Sequence, residues 1–179
     1  MFERFTEGAR GVVRGAMELA ERADADRVTE EHMLLALLGH ESTPASGALA
    51  AQGFAGRRES VENALAAARQ RGGLSQADTD ALAGIGIDVG EIVSKVERTH
   101  GEGAMLAGEP SNRRGTARRR FSPGAKKTLE KALRIAVGHK EKHVGDEHIL
   151  LALTVLPGVV SEVLADHGVT YETVEGALR

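Results

Sequence analysis

The feature that most constrains the fold of this chain is a segment that occurs twice. Residues 29–38 read TEEHMLLALL and residues 145–154 read GDEHILLALT. His32 and His148 therefore stand 116 positions apart in equivalent places. A match at a fixed offset marks a duplicated structural unit, so we expect the chain to contain two copies of one element.

A second pair of segments obeys the same offset. RFTEGAR at 4–10 aligns with RFSPGAK at 120–126 without a gap. Two matches that agree on one offset make chance similarity a poor explanation of either. The sequence therefore predicts two copies of one unit, over residues 1–66 and 121–179, with different material between them.

Each copy is predicted to form four helices. The first begins after Thr6 or Ser122, because serine and threonine are preferred N-cap residues. The second covers 30–39 or 146–155 and is apolar nearly all round. A helix of that kind is expected to lie buried at the centre of its copy.

Prolines and glycines mark the limits of the third helix in each copy. Pro44 and Pro157 interrupt the chain after the second helix. Gly53 and Gly168 suit the left-handed conformation that follows a helix C-terminus. A fourth helix then completes each copy.

The segment between the copies has two parts. Residues 67–100 are predicted to form an extra helical hairpin, because ALAGIGIDVGEIVSKV imitates the third and fourth helices of the copies. Residues 101–120 are rich in glycine and arginine and lack periodicity, which predicts a flexible basic linker. The predicted fold is therefore all-α, with two pseudo-symmetric four-helix repeats packed together and the hairpin and linker between them.

Composition narrows the possible environments and partners. The chain has no cysteine, which excludes disulfides and thiolate metal sites and fits a cytoplasmic location. No apolar run approaches the about 18–20 residues that cross a bilayer, so no membrane association is expected. The formal net charge is −3. Aromatic residues, which favour strands, make up only 3% of the chain, and this low share disfavours sheets.

No motif for catalysis or for a cofactor is present. The sequence contains neither GxxxxGK[ST] nor a nucleophile at a recognisable spacing from a base, so we expect no enzyme and no cofactor. His32 and His148 each follow a glutamate, but HExxH is absent and we interpret both as structural. His139 and His143, four positions apart among lysines, are assigned to a solvated face rather than to a metal.

Three segments together resemble one protein family. The opening MFERFTEGAR, the repeated EH[MI]LLAL and the second start RFSPGAKK are similar to the N-terminal domain of ClpC-type Clp ATPases, the unfoldases that feed a compartmental protease. The resemblance implies two tandem four-helix repeats related by a pseudo-twofold axis, without catalytic activity. It also implies binding of Clp substrates and adaptors, including degrons with phosphorylated arginine, and in some members of cyclic peptide antibiotics.

The ATPase modules of that family are missing from this sequence. The resemblance therefore implies either a stand-alone domain or a fragment of a longer protein. A stand-alone domain would act as a decoy or regulator that engages Clp substrates, adaptors or Clp ATPase and protease components.

The same resemblance implies two ligand pockets. Thr6 with Glu31 would form the first, and Ser122 with Glu147 the second. In each pocket the carboxylate would pair with a guanidinium, while the hydroxyl and the helix N-terminal amides would receive a phosphate. A peptide-docking patch is implied at Phe2, Phe121 and Lys126.

This sequence departs from the family pattern beside both pockets. The family has Gly-Thr before the Glu-His pair, whereas this chain has Thr-Glu at 29–30 and Gly-Asp at 145–146. Each copy therefore carries an additional acid. We expect the added carboxylate to weaken phosphate binding by repulsion.

A second interpretation is a nucleic-acid-associated regulator. The segment RRGTARRR at 113–120 would contact phosphates, and the helical hairpin would act as a helix-turn-helix. The segment lacks interleaved aromatic residues and the rest of the chain is acidic, so a solvated linker is the preferred interpretation. Steep salt dependence of DNA binding would favour this alternative.

Overall fold

A computed structural model describes most of the chain and divides it into two compact units. The described residues are 2–54, 56–72, 74, 76–100 and 120–179. The first unit comprises Met1–Arg58 and Thr116–Arg179, and the second comprises Glu59–Gly115. Of the predicted basic linker, all but Arg120 lies outside the described residues.

The described chain is helical apart from two very short strands, which confirms the all-α prediction. A 3-10 turn at Phe2–Arg4 precedes the first helix, and the strands are β1 (Arg27–Val28) and β2 (Arg120–Phe121). The helices are α1 (Glu7–Arg22), α2 (Glu30–Gly39), α3 (Pro44–Ala51), α4 (Arg58–Gln70), α5 (Gln76–Gly84), α6 (Val89–His100), α7 (Pro123–Gly138), α8 (Asp146–Val155), α9 (Val159–Asp166) and α10 (Tyr171–Leu178).

The starts of α1 and α7 follow the capping prediction. The Thr6 hydroxyl accepts a hydrogen bond from the Ala9 amide at 3.2 Å, and the Ser122 hydroxyl accepts one from the Ala125 amide at 2.9 Å. Each bond satisfies a backbone N–H that has no partner within its helix. The predicted caps are therefore confirmed in both repeats.

Helices α2 and α8 form the centre of the first unit. They cover the ranges predicted for the second helix of each copy. Apolar residues of both helices are buried; they are Met33, Leu34, Ala36 and Leu37 in α2, and Ile149, Leu150, Leu151, Ala152 and Leu153 in α8. The apolar run thus predicted burial correctly.

Helices α1 and α2 form an antiparallel pair that depends on glycine. A Cβ added at Gly11 would lie 2.7 Å from the His40 ring, and one at Gly15 would lie 3.3 Å from the Ala36 side chain. Position 11 therefore faces 40 while position 15 faces 36, which fixes the opposite directions of the two helices. The missing side chains on α1 allow the close approach of α2.

The two repeats exchange short strands. β1 of repeat one pairs in parallel with β2, which precedes α7 in repeat two. In the same way Phe5, which precedes α1, forms a parallel bridge to Val144, which precedes α8. No sequence pattern predicts these pairings, which place the start of each first helix beside the other repeat.

The second unit contains α5, α6 and most of α4. Val61, Leu65 and Ala68 of α4 are buried, whereas Ile85, between α5 and α6, is 73% exposed. α5 and α6 contact each other and lie where the sequence predicts an extra hairpin. The predicted domain boundaries at residues 66, 100 and 120 stay predictions.

Within the described ranges, no single helix has both the length and the apolar character to cross a bilayer. α8 and α9 together are long and apolar enough to span a bilayer, but the chain bends by 97° between them.

Candidate ligand-binding site

The structure separates the residues that the resemblance paired within each copy. Thr6 precedes α1, whereas Glu31 lies in the first turn of α2. Because the two helices run in opposite directions, Glu31 lies near the C-terminal end of α1, a helix of 16 residues that is about 24 Å long. In repeat two, Ser122 precedes α7, whereas Glu147 lies beside the far end of that helix. The structure thus does not bring together the two residues of either predicted pair, and the strand pairing instead places Ser122 beside Glu30 and Thr6 beside the start of α8.

The first inter-repeat junction joins α7 to the start of α2. The Ser122 hydroxyl donates a hydrogen bond to Glu30 Oε2 at 3.0 Å. The same carboxylate covers Gly124, since a Cβ added there would overlap it. Glu30, rather than Glu147, is thus the acid in contact with Ser122.

The second inter-repeat junction joins α1 and α3 to the start of α8. Asp146 is only 1% exposed, and its Oδ2 accepts a hydrogen bond from the Ala45 amide at 3.1 Å. A Cβ added at Gly8 would lie 2.9 Å from Asp146 Oδ1. The Thr6 amide donates to the Val144 carbonyl at 2.9 Å, which places Thr6 beside this acid.

The pKa of Asp146 reflects two opposing influences. Burial disfavours the charged carboxylate most strongly and raises the pKa above its ordinary value. Hydrogen bonds from the Thr43 side chain and the Ala45 amide act in the other direction without reversing the shift. Asp146 is therefore a buried acid that is held by a helix N-terminus.

Glu147 and His148 form a closely coupled pair at the start of α8. Glu147 Oε1 lies 3.1 Å from His148 Nδ1. Burial is the largest single influence and would raise the pKa of Glu147, but its contacts with His148, with a backbone amide and with Asp146 together outweigh burial and lower the pKa below its ordinary value. The Gly145 amide also donates to His148 Nδ1, at 3.0 Å.

The equivalent histidine of repeat one caps its helix in the same way. The Thr29 amide donates to His32 Nδ1 at 3.1 Å. Each histidine thus occupies the third position of its helix, and its Nδ1 atom accepts a hydrogen bond from the backbone amide of the N-cap residue. This confirms the structural interpretation of His32 and explains part of the environment of His148.

The residues of the predicted docking patch lie near the first junction or outside the described side chains. Phe121 belongs to β2 and is half-buried, and Lys126 is exposed in the first turns of α7. Phe2 belongs to the 3-10 turn, and its side chain is outside the described residues. The patch stays a prediction.

A separate groove of about 340 Å³ lies along α1 and α2. Its lining includes Arg14, Arg22, Arg58 and His40, with Glu18 as an opposing charge. No sequence pattern predicts it. Its arginines come from α1 and from the start of α4, and no single sequence segment brings them together.

The junctions combine acids with helix N-termini. Glu31 and Glu147 stand next to Glu30 and Asp146, so each junction carries two consecutive acids. Carboxylates at such a place suit a guanidinium or another cation. At the places where a phosphate would be received, Glu30 already lies against Gly124 at the start of α7, and Asp146 lies against Gly8 at the start of α1. The departure from the family pattern indicated only the extra charge and not these contacts.

Known proteins with similar sequences or folds share this architecture. A family model described as the Clp repeat (R) N-terminal domain matches residues 4–82 and 120–179. The N-terminal domain of the chaperone ClpD from Arabidopsis thaliana aligns with 99% of this chain and 94% of its own, at 21% identity and a TM-score of 0.54.

Two further solved structures are similar in fold. The Hsp104 N-terminal domain from Candida albicans aligns with 98% of this chain and 89% of its own, at 19% identity and a TM-score of 0.51. A chain solved in structural work on a malarial protein secretion system aligns with 98% of this chain and 92% of its own, at 15% identity and a TM-score of 0.53. At these identities the likeness concerns the fold alone.

Proposed function

The chain belongs to the Clp repeat N-terminal domain family, and on that premise we propose that it is a non-enzymatic module that binds peptide segments of Clp substrates or adaptors. Clp N-terminal domains are non-catalytic modules of Clp chaperones that bind substrates and adaptors. The observation that carries the proposal is the pair of inter-repeat junctions, where acids of one repeat meet the first helix of the other. Binding there without unfolding would make the protein a decoy or regulator of Clp proteolysis.

The recognised group is an arginine side chain, either unmodified or phosphorylated. Glu31 and Glu147 are half-buried and supply carboxylates for the guanidinium. In a phosphorylated ligand the phosphoryl group would take the Ser122 hydroxyl and the first amides of α7. Phe121 and Lys126, with Phe2, would contact neighbouring parts of a linear or cyclic peptide.

Glu30 decides between the two forms of the ligand. Its carboxylate accepts the Ser122 hydroxyl bond and covers Gly124, so a phosphoryl group has to displace it. Two negative groups at that place repel each other. We therefore expect an unmodified arginine peptide to bind at least as tightly as its phosphoarginine counterpart.

Calorimetric titration with an arginine peptide and its phosphoarginine counterpart tests the proposal. Charge-assisted hydrogen bonds contribute about 1.5–3 kcal/mol each, so Glu31→Ala or Glu147→Ala should weaken its own junction by roughly tenfold to a hundredfold. Glu30→Ser should improve binding of the phosphorylated peptide relative to the unmodified one, because it removes the competing carboxylate.

Glu172→Ala is the matched control, since Glu172 is an exposed acid in the first turn of α10. It should leave both affinities unchanged. Absence of binding to either peptide, or unchanged binding in the Glu31→Ala/Glu147→Ala double variant with folding verified by melting, would contradict the site assignment.

A further inference from the structure

One buried nitrogen in repeat two has no hydrogen-bond partner within the described residues. His148 is completely buried, and its Nε2 atom is unsatisfied although its Nδ1 atom is bonded. A buried polar atom without a partner is costly, and few are tolerated in a folded protein. The position therefore requires an explanation beyond helix capping.

Metal-ligating side chains converge on this nitrogen. The ligand atoms of His139, Glu141 and His148 all lie within 4.8 Å of one another. Glu141 Oε2 is 3.6 Å from His148 Nε2, and Glu175 Oε1 of α10 is 3.5 Å from His139 Nε2. Ligands at about 2.0–2.1 Å around a tetrahedral zinc ion stand roughly 3.3–3.4 Å apart, close to both separations.

We propose that His139, Glu141 and His148 bind a zinc ion, with Glu175 or water as the fourth ligand. Two imidazoles with carboxylates form a set that zinc commonly takes. His148 supplies a fixed ligand from the core, whereas the Glu141 side chain is 51% exposed and has room to adjust. This site goes beyond the proposed peptide binding and does not depend on it.

The hydrogen bonds of His148 provide a consistent place for its single proton. Without metal, the Gly145 amide donates to Nδ1, so the proton sits on Nε2 and faces Glu141. When zinc takes the Nε2 lone pair, the proton is held on Nδ1 instead and is donated to Glu147 Oε1, 3.1 Å away. A carboxylate behind the ligating histidine in this way orients the ring and strengthens the ligand.

The Gly145 amide keeps an acceptor after this exchange. The Glu147 carboxylate lies directly over the Gly145 Cα, where an added Cβ would overlap it. The amide can therefore turn from His148 to Glu147. The ring changes tautomer without a net gain or loss of a proton.

Repeat one provides an internal comparison. At the offset of 116 positions, Ala23 and Ala25 stand where repeat two has His139 and Glu141. The loops have the same local backbone, since Asp24 and Lys140 both adopt positive φ, at 49° and 61°. Only the side chains differ, so the site belongs to repeat two alone.

The consequence for the fold is a cross-link between three segments. His139 directly follows α7, His148 lies in α8, and Glu175 lies in α10. Tyr171 of α10 already approaches His139, with its hydroxyl 3.4 Å from Nε2. Zinc would tie the loop between α7 and α8 to the last helix.

The test uses the full, tag-free chain after treatment with a chelator. Titration with Zn²⁺ should give one equivalent bound, and Co²⁺ should give the visible absorption of a tetrahedral site. His139→Ala and Glu141→Ala should each weaken binding by at least about tenfold to a hundredfold. Imidazole nitrogen NMR should show the proton of His148 on Nε2 without metal and on Nδ1 with zinc.

Two further variants make the result decisive. His143→Ala removes an exposed histidine of the same loop that is outside the cluster, and it should leave zinc affinity unchanged. Ala23→His/Ala25→Glu installs the missing ligands in repeat one and should add a second equivalent. Absence of binding at 100-fold molar excess of metal, loss of binding in His143→Ala, or full binding in His139→Ala/Glu141→Ala would overturn the proposal.

Discussion

The two repeats have the same arrangement of helices, but equivalent polar residues at the start of the central helix differ in burial and in hydrogen bonding. In repeat one Glu30 and His32 are half-buried, whereas in repeat two their counterparts Asp146 and His148 are almost completely buried. The shorter Asp146 side chain bonds to the start of α3, while the longer Glu30 reaches the Ser122 hydroxyl. The apolar pattern and the caps thus determine the common backbone, and a few substitutions at the start of the central helix determine the electrostatics of each junction.

The largest expected effects test whether the cores of the two repeats are equivalent. Leu34 in α2 and Leu150 in α8 occupy the same place in the duplication, and neither is exposed. Leu34→Ala and Leu150→Ala should each lower the free energy of unfolding by about 2–5 kcal/mol, because each leaves a cavity. Urea denaturation monitored by circular dichroism measures both changes.

Val137→Ala is the control for this pair, since Val137 is 58% exposed. It should change stability by less than about 0.5 kcal/mol. A cost below about 1 kcal/mol for only one of the two leucines would show that the central helices are not equivalent.

An intermediate effect should distinguish the two junctions. Gly8→Ala places a methyl group against Asp146, which the Ala45 amide holds in place, so we expect a loss of about 1–3 kcal/mol. The methyl group added by Gly124→Ala would overlap the Glu30 carboxylate more severely. The Glu30 side chain, however, is half-buried and can rotate away. Alanine also favours the helix by up to about 1 kcal/mol over glycine, so the Gly124→Ala variant should stay within about 1 kcal/mol of the wild type.

Thermal and urea unfolding of the two glycine variants provide this measurement. Equal losses at the two positions would mean that Glu30 is held as firmly as Asp146. The contrast between a fixed and an adjustable acid would then disappear.

The smallest expected effects concern the helix caps. Thr6→Ala and Ser122→Ala should each cost about 0.5–2 kcal/mol through loss of a capping bond. A double-mutant cycle between Ser122→Ala and Glu30→Ala should show a coupling of about 0.5–1.5 kcal/mol, since their side chains are hydrogen-bonded.

The corresponding cycle in the other junction combines Thr6→Ala with Asp146→Asn. Its coupling should be close to zero, because the Thr6 hydroxyl bonds to the Ala9 amide and Asp146 bonds to the Ala45 amide. Similar couplings in the two cycles would indicate that the junctions are chemically alike.

Much of the fold could be predicted from the sequence because its signals are local. The apolar runs at 30–39 and 146–155 identified the central helices, and Thr6 and Ser122 identified two helix starts. Gly53 and Gly168 have positive φ, as their place after the third helices predicted. Capping, helix periodicity and glycine conformations all depend on residues close together in the chain.

The composition of the candidate sites could not be predicted in the same way. Aligning the copies shows which residues correspond, but it does not show which copy supplies the neighbour. The resemblance thus pairs Ser122 with Glu147, whereas the structure places Glu30 against Ser122. The spacing of His139 and His143 predicts a solvated helix face; both are exposed, but α7 ends at Gly138 and residues 139–143 follow it as a turn. Which side chains meet at either candidate site depends on the tertiary arrangement and not on spacing along the chain.

The exchanged strands affect how far either repeat can exist alone. Each repeat presents the same edge to the other, with Phe5 beside Val144 and Phe121 beside Val28, as in the isologous contact of a twofold dimer. Joining the partners in one chain replaces a bimolecular encounter with a high effective concentration. An isolated repeat would keep its helices but leave that edge unpaired, and self-association with a second copy would satisfy it. The contact that would be an oligomer interface in a shorter protein is here made within one chain.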